Sequence, residues 1–189
     1  MSDSYPRVAV SSREEWRSWL SANHGSAPGA WVVTFRRGEP DRHVSYEEIV
    51  LEAVAHGWID STRRRLDERR TEMLVTPRKP GSGWSRSNKE RVAKLEREGL
   101  MTPAGRRAVE IAKENGSWTL LDDVEDMVEP DDLKAALDSV PEARKHWDAF
   151  PPSARKAALY WIATAKRPAT RERRIAETAR LTGENKRAR

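Results

Sequence analysis

Ser45-Tyr46-Glu47-Glu48-Ile49-Val50-Leu51-Glu52-Ala53-Val54-Ala55-His56-Gly57-Trp58-Ile59-Asp60 is the stretch that decides the fold class. Its first four residues form a capping box: the Ser45 hydroxyl can accept from the amide three residues on, while Glu48 reaches back. Ile49, Val50, Ala53, Val54 and Gly57 then fall on one stripe at helical spacing, which predicts an amphipathic helix. Beyond Trp58-Ile59-Asp60 the period changes. Ser61–Leu66 and Thr71–Thr76 read as the arms of a hairpin around a polar turn at Asp67-Glu68, with Met73-Leu74-Val75 its most apolar piece. A helix that runs directly into a hairpin points to an α+β fold.

Upstream, Ser12-Arg13-Glu14-Glu15 is a second capping box, opening a short helix with Trp16, Trp19 and Leu20 on one face. Ala30–Phe35 reads as a strand, and Arg37-Gly38-Glu39-Pro40-Asp41 has turn chemistry. Downstream, Pro77–Gly83 holds two prolines and two glycines and is a loop. Ser87-Asn88-Lys89-Glu90 reads as a third capping box, and Thr102-Pro103 starts a further helix. Helices then follow behind Pro130, Pro141 and Pro151-Pro152, the last with Ala154, Ala158, Trp161, Ile162 and Ala165 aligned. Pro168 ends that helix, Thr170–Leu181 forms the final one, and the tail Gly183–Arg189 is expected to fray. The expected architecture is a small, mostly antiparallel sheet with two helices over residues 1–100, followed by a helical portion over 101–189, packed as one globular unit.

The 189 residues carry 35 basic and 30 acidic side chains, a net charge of +5. Eight tryptophans exclude a disordered chain, which would be poor in large apolar groups. The absence of cysteine excludes disulfides, thiolate nucleophiles and Cys-ligated metal centres. No apolar run approaches the roughly 18 residues needed to span a bilayer, and Met1–Arg7 lacks the apolar stretch of a signal peptide. The expectation is a cytoplasmic protein with no membrane insertion.

Charge is segregated along the chain. Residues 110–150 hold 4 basic and 12 acidic groups, whereas residues 151–189 hold 11 and 3. Residues 60–97 hold 12 basic against 6 acidic groups, with Arg63-Arg64-Arg65 and Arg69-Arg70 on the hairpin. Asp67, Glu68 and Glu72 interrupt those runs, which argues against a continuous phosphate-tracking surface while keeping nucleic acid open as a partner.

Most catalytic signatures are missing. There is no Gly-Lys-Ser/Thr phosphate loop, no Gly-x-Ser-x-Gly elbow and no His-Glu-x-x-His. Gly81-Ser82-Gly83-Trp84-Ser85-Arg86 begins like a dinucleotide fingerprint but has Arg86 where the last glycine is needed. Neither His24, His43, His56 and His146 nor the acidic stretch Asp122–Asp126 has metal-ligand spacing. No metal and no cofactor is expected.

The richest stretch is Gly57–Arg91. A pocket is expected there between the Trp58–Asp60 turn and the Arg78–Asn88 loop, fed by a helix amino terminus that suits an anion. In it Arg78 and Lys79 would supply charge, Ser85 and Asn88 hydrogen bonds, Trp84 a stacking wall beside Trp58, and Asp60 an orienting carboxylate. Its ligand would be a small anionic or aromatic molecule. The bland reading makes Trp58 and Trp84 core residues and the loop merely rigid. An enzyme using Asp60 as acid or base in the same pocket is the alternative.

Several of these segments resemble the YdeI/OmpD-associated family of bacterial proteins, also labelled bacteriocin-protection proteins. They are Ser45–Glu48 through Gly57-Trp58-Ile59-Asp60-Ser61, Thr76–Ser82, Trp84-Ser85, Asn88–Arg91, Gly99–Gly105, Gly116-Ser117-Trp118 and Ala165-Lys166-Arg167-Pro168. Ala55-His56 departs from the apolar pair expected before Gly57. The resemblance implies an α+β amino-terminal part, a helical carboxy-terminal part, and a role in tolerance of antimicrobial peptides or an envelope association. It carries across no catalytic residue, no cofactor and no partner protein.

Overall fold

The structure is a computed structural model and describes residues 4–188. Met1–Asp3 and the last residue of the tail, Arg189, lie outside the described residues. The chain divides into two compact units: residues 1–82 with 87–115, and residues 83–86 with 116–189.

The first unit holds β1 (Arg7–Ala9), α1 (Arg13–Asn23), β2 (Ala30–Phe35), α2 (Tyr46–Ala55), β3 (Trp58–Arg65) and β4 (Arg70–Pro77). It also holds α3 (Arg86–Arg97, beyond its first residue) and α4 (Pro103–Glu114). The four strands form one sheet in the order β1-β2-β4-β3. β2 and β3 both pair antiparallel with β4, while β1 pairs parallel with β2. The sheet is therefore mixed. β1 has only three residues and no apolar period, so nothing in its sequence distinguishes it from a loop.

Local chemistry explains the elements. Ser45 and Glu48 complete the predicted capping box of α2, and both the Ser45 amide and hydroxyl donate to the Glu48 carboxylate. Ser12 caps α1, although Glu15 reaches back to the Ser11 amide rather than that of Ser12. α3 starts at Arg86, so Ser87 lies inside its first turn rather than ahead of it. The hairpin turn is held by Asp67, whose Oδ1 accepts from the amides of Arg69 and Arg70 at 2.9 and 2.8 Å, an Asx turn.

α2 is buried on every side from Ile49 to Ala55 rather than along the one stripe expected, and Trp16, Leu20, Val32 and Trp58 are likewise nearly inaccessible. The Trp16 indole donates to the Ile49 carbonyl at 3.1 Å, and its ring stacks on Trp19. α4 closes on the end of α2 through Thr102, whose hydroxyl donates to the Ala55 carbonyl at 2.6 Å. Gly105 permits that approach, since a Cβ there would sit 2.3 Å from the same carbonyl. Gly57, with φ +75°, turns the chain from α2 into β3.

The second unit contains α5 (Asp122–Glu125), α6 (Asp131–Ser139), α7 (Ala143–Ala149), α8 (Pro152–Ala163) and α9 (Pro168–Gly183). Their core joins Leu133, Leu137, Trp147, Leu159, Ile162 and Ile175. Glu129 lies beside it, accepting from the Trp147 indole at 2.7 Å and from Arg144 at 2.8 Å. Pro168 opens α9 two residues ahead of the expected start, in keeping with proline's fit to a first helical turn. On α8, Leu159 takes the buried place expected for Trp161, which is only partly buried. Among the described residues no helix is long and apolar enough to cross a membrane.

Candidate functional site

The sequence-predicted residues divide between the units. Trp84 and Ser85 belong to the second; Trp58, Asp60, Arg78, Lys79 and Asn88 belong to the first. Trp84 is 1% exposed and lies 5.1 Å from Trp118, ring centre to ring centre. Trp58 is equally buried. Its indole donates to the His24 carbonyl at 3.2 Å, and Trp19 meets its ring edge-on. Both tryptophans are thus core side chains that present no open ring face. Arg78 ties its own loop: its amide donates to the Gly57 carbonyl and its guanidinium to the Ser82 carbonyl. Lys79 is exposed, and its carbonyl accepts from the Ser82 amide.

Asp60 and Asn88 belong to one polar cluster of the first unit, joined through Tyr46 and Arg91. The Tyr46 hydroxyl, from the first turn of α2, donates to Asp60 Oδ2 at 2.8 Å. Arg91 of α3 donates to Asn88 Oδ1 at 3.0 Å and forks onto both carboxylate oxygens of Glu47. Guanidiniums of Arg63 and Arg91 each lie 5.9 Å from the Tyr46 ring centre. Burial and the Asp60 hydrogen bond push the Tyr46 phenol above its ordinary value, so it remains a donor. The Arg91 hydrogen bonds hold the Glu47 carboxyl below its usual range.

Beside this cluster lies a cavity of about 700 Å³, open at the hairpin end of the sheet. Arg36, Arg37 and Glu39 line it from the loop after β2, His43, Ser45 and Tyr46 from the entry to α2, and Arg63, Glu68, Arg69 and Thr71 from the hairpin. Arg63 reaches it because the β3–β4 register shifts between Asp60 and Arg63, a bulge that re-aims the side chains beyond it. Neighbouring Arg64 turns to the other face, over the Trp31 ring and onto Glu72. His43 Nδ1 donates to the Phe35 carbonyl at 2.6 Å, since that oxygen can only accept. This leaves its Nε2 as the nitrogen available to a ligand.

The guanidiniums of the sheet and of the cavity differ in their partners, and one ion pair, Arg69–Glu39, belongs to the cavity lining itself. Arg7 and Arg64 both bond Glu72, Arg69 meets Glu39, and Arg70 meets Asp67. Among the described residues, Arg36, Arg37 and Arg63 lie within ion-pair distance of no carboxylate; Arg36 donates to the backbone carbonyl of Glu68. Sequence reading did not single out Arg36, Arg37 or Tyr46, which line this candidate site. The alternation of Arg63-Arg64-Arg65 across a strand was the one signal that could have singled out Arg63. Among the described residues no group of three His, Asp or Glu side chains is arranged to hold a metal ion.

No curated protein and no solved structure matches the chain. Residues 126–185 match the family described as bacteriocin-protection, YdeI or OmpD-associated. Of the segments that carry the resemblance read from the sequence, Ala165–Pro168 lies inside that range, whereas Ser45–Gly105 lies within the other matched region. That region spans residues 8–108 and includes the cavity and its polar cluster. It covers more than half of the sequence, and the chain therefore belongs to the family described as a domain of unknown function (DUF8412), followed by a YdeI/OmpD-associated region.

Proposed function

We propose that the first unit binds a small anionic organic ligand in the arginine-lined cavity. The observation that carries this reading is the set of three guanidiniums, Arg36, Arg37 and Arg63, without carboxylate partners around one opening. Guanidiniums present paired donors that match carboxylate and phosphate oxygens. A cavity of about 700 Å³ holds more than a single inorganic anion, and ligand sites of this size are ordinary. Tyr46 contributes a partly exposed ring that joins the cavity to the Asp60–Asn88 cluster. The same pairings disfavour a nucleic-acid backbone, because Arg69 and Arg70 each meet a carboxylate of their own and Arg7 and Arg64 share that of Glu72.

Calorimetric titration with pyrophosphate and with citrate tests the reading. Arg37→Ala combined with Arg63→Ala is expected to weaken binding at least tenfold, while Arg78→Ala combined with Asn88→Ala leaves it within twofold. The reverse pattern would return the site to the loop after β4. Absence of binding to the unaltered protein would remove the anion reading altogether.

A further inference from the structure

The second unit carries a groove of its own, independent of the cavity above. α8 has two stripes. Ala154, Ala158, Leu159 and Ile162 are buried, whereas Ser153, Ala157, Tyr160, Trp161 and Thr164 face an open groove of about 600 Å³ that Arg174 of α9 closes at one end. Tyr160 is 51% exposed, the most exposed large hydrophobic side chain of the described residues. Arg174 lies 5.2 Å from the Trp161 ring centre and donates to the Trp161 carbonyl. Among the described residues no carboxylate lies within ion-pair distance of Arg174. Lys156, the other cation on the groove, is engaged by Glu125 at 2.5 Å.

We infer that this groove is a binding site for a small aromatic carboxylate, its ring against Tyr160 and Trp161 and its carboxylate on Arg174. Aromatic walls with one convergent charged group at the end are the usual make-up of a small-molecule site, and the volume is in the usual range. Charge complementarity sets the ligand's sign: Arg174 is fixed by the carbonyl at the end of α8 and by the Trp161 ring, which leaves its remaining N–H donors to meet an anion in bidentate fashion. A neutral ring would fill the same walls but leave that cation unmatched.

Saturation-transfer NMR and calorimetry with 2-naphthylacetate, 2-naphthylmethanol and acetate test the assignment on the full chain. The expected result is saturable binding of 2-naphthylacetate, at least tenfold weaker binding of the neutral alcohol, and none of acetate. Tyr160→Ala, at an exposed position, and Arg174→Met should each weaken 2-naphthylacetate at least tenfold. Saturating pyrophosphate should leave that affinity unchanged. Should Arg174→Met fail to fold, the Tyr160 variant and the acid–alcohol comparison decide by themselves. Equal binding of acid and alcohol, an unaffected Tyr160→Ala, displacement by pyrophosphate or no binding at all would each overturn the inference.

Discussion

The Tyr46 hydroxyl donates to Asp60 Oδ2 at 2.8 Å, joining the first turn of α2 to β3 beside the arginine-lined cavity, which Tyr46 lines. Burial raises the phenol's pKa and the Asp60 hydrogen bond raises it further. Asp60→Asn removes the carboxylate but not the burial. Tyrosinate absorbance at 295 nm should therefore appear at lower pH in this variant than in the unaltered protein. Coincident titrations would mean that the bond does not persist in solution.

Glu72 is 2% exposed on the central strand β4, between Arg7 at 2.8 Å and Arg64 at 2.7 Å. Burial raises its pKa, but the hydrogen bonds from the two guanidiniums outweigh that, and the net shift is downward. A carboxyl whose folded pKa is depressed contributes stability above its unfolded pKa of about 4.3 and loses it as pH falls through the folded value. Glu72→Gln should therefore be less stable than the unaltered protein at pH 7, with the difference closing below about pH 4. Glu72→Ala is expected to cost about 1–3 kcal/mol in urea unfolding. That is less than for a fully buried ion pair, because both arginines reach water.

His56 responds on the neutral side. Burial lowers its pKa more than the hydrogen bond from Nδ1 to the Glu52 carbonyl raises it, with His24 and Arg17 adding repulsion. A histidine whose folded pKa is depressed must charge against the fold in acid. Its contribution is present above the unfolded value of about 6.5 and declines as pH falls through it. The thermal midpoint should drop between pH 7.5 and pH 5.5, and His56→Phe, which restores an apolar side chain before Gly57, should flatten that drop. Parallel profiles for the two proteins would show that another group titrates there.

Gly105→Ala is the severest small substitution expected in the first unit. Its Cβ would lie 2.3 Å from the Ala55 carbonyl, which already accepts from both the amide and the hydroxyl of Thr102. Overpacking of this kind costs about 1–3 kcal/mol, readable as a lower urea midpoint. An unchanged midpoint would show that α4 can move away from α2 freely.

Capping boxes, proline positions and the period change at Gly57 made α2, β2, the β3–β4 hairpin and the helical second half legible in the sequence, because each depends on neighbours in the chain. β1 was not legible: three residues reveal a strand only through their partner, Trp31–Val33. Within the polar cluster, Asp60 and Asn88 were legible as polar groups at element ends. Their connection through Tyr46 and Arg91 was not, since Arg91 meets Glu47 across 44 residues. Trp58 and Trp84 misled for a physical reason. An indole serves a core and a stacking wall equally well, and only burial distinguishes them.

The central claim is that the hairpin-end cavity holds an anion. Anomalous scattering from crystals grown with selenate locates such an anion directly. The account predicts a selenium peak within hydrogen-bond reach of Arg63 and of Arg36 or Arg37, lost in Arg37→Ala/Arg63→Ala crystals. A cavity without a peak while selenate occupies the segment around Arg78 and Lys79 would contradict it.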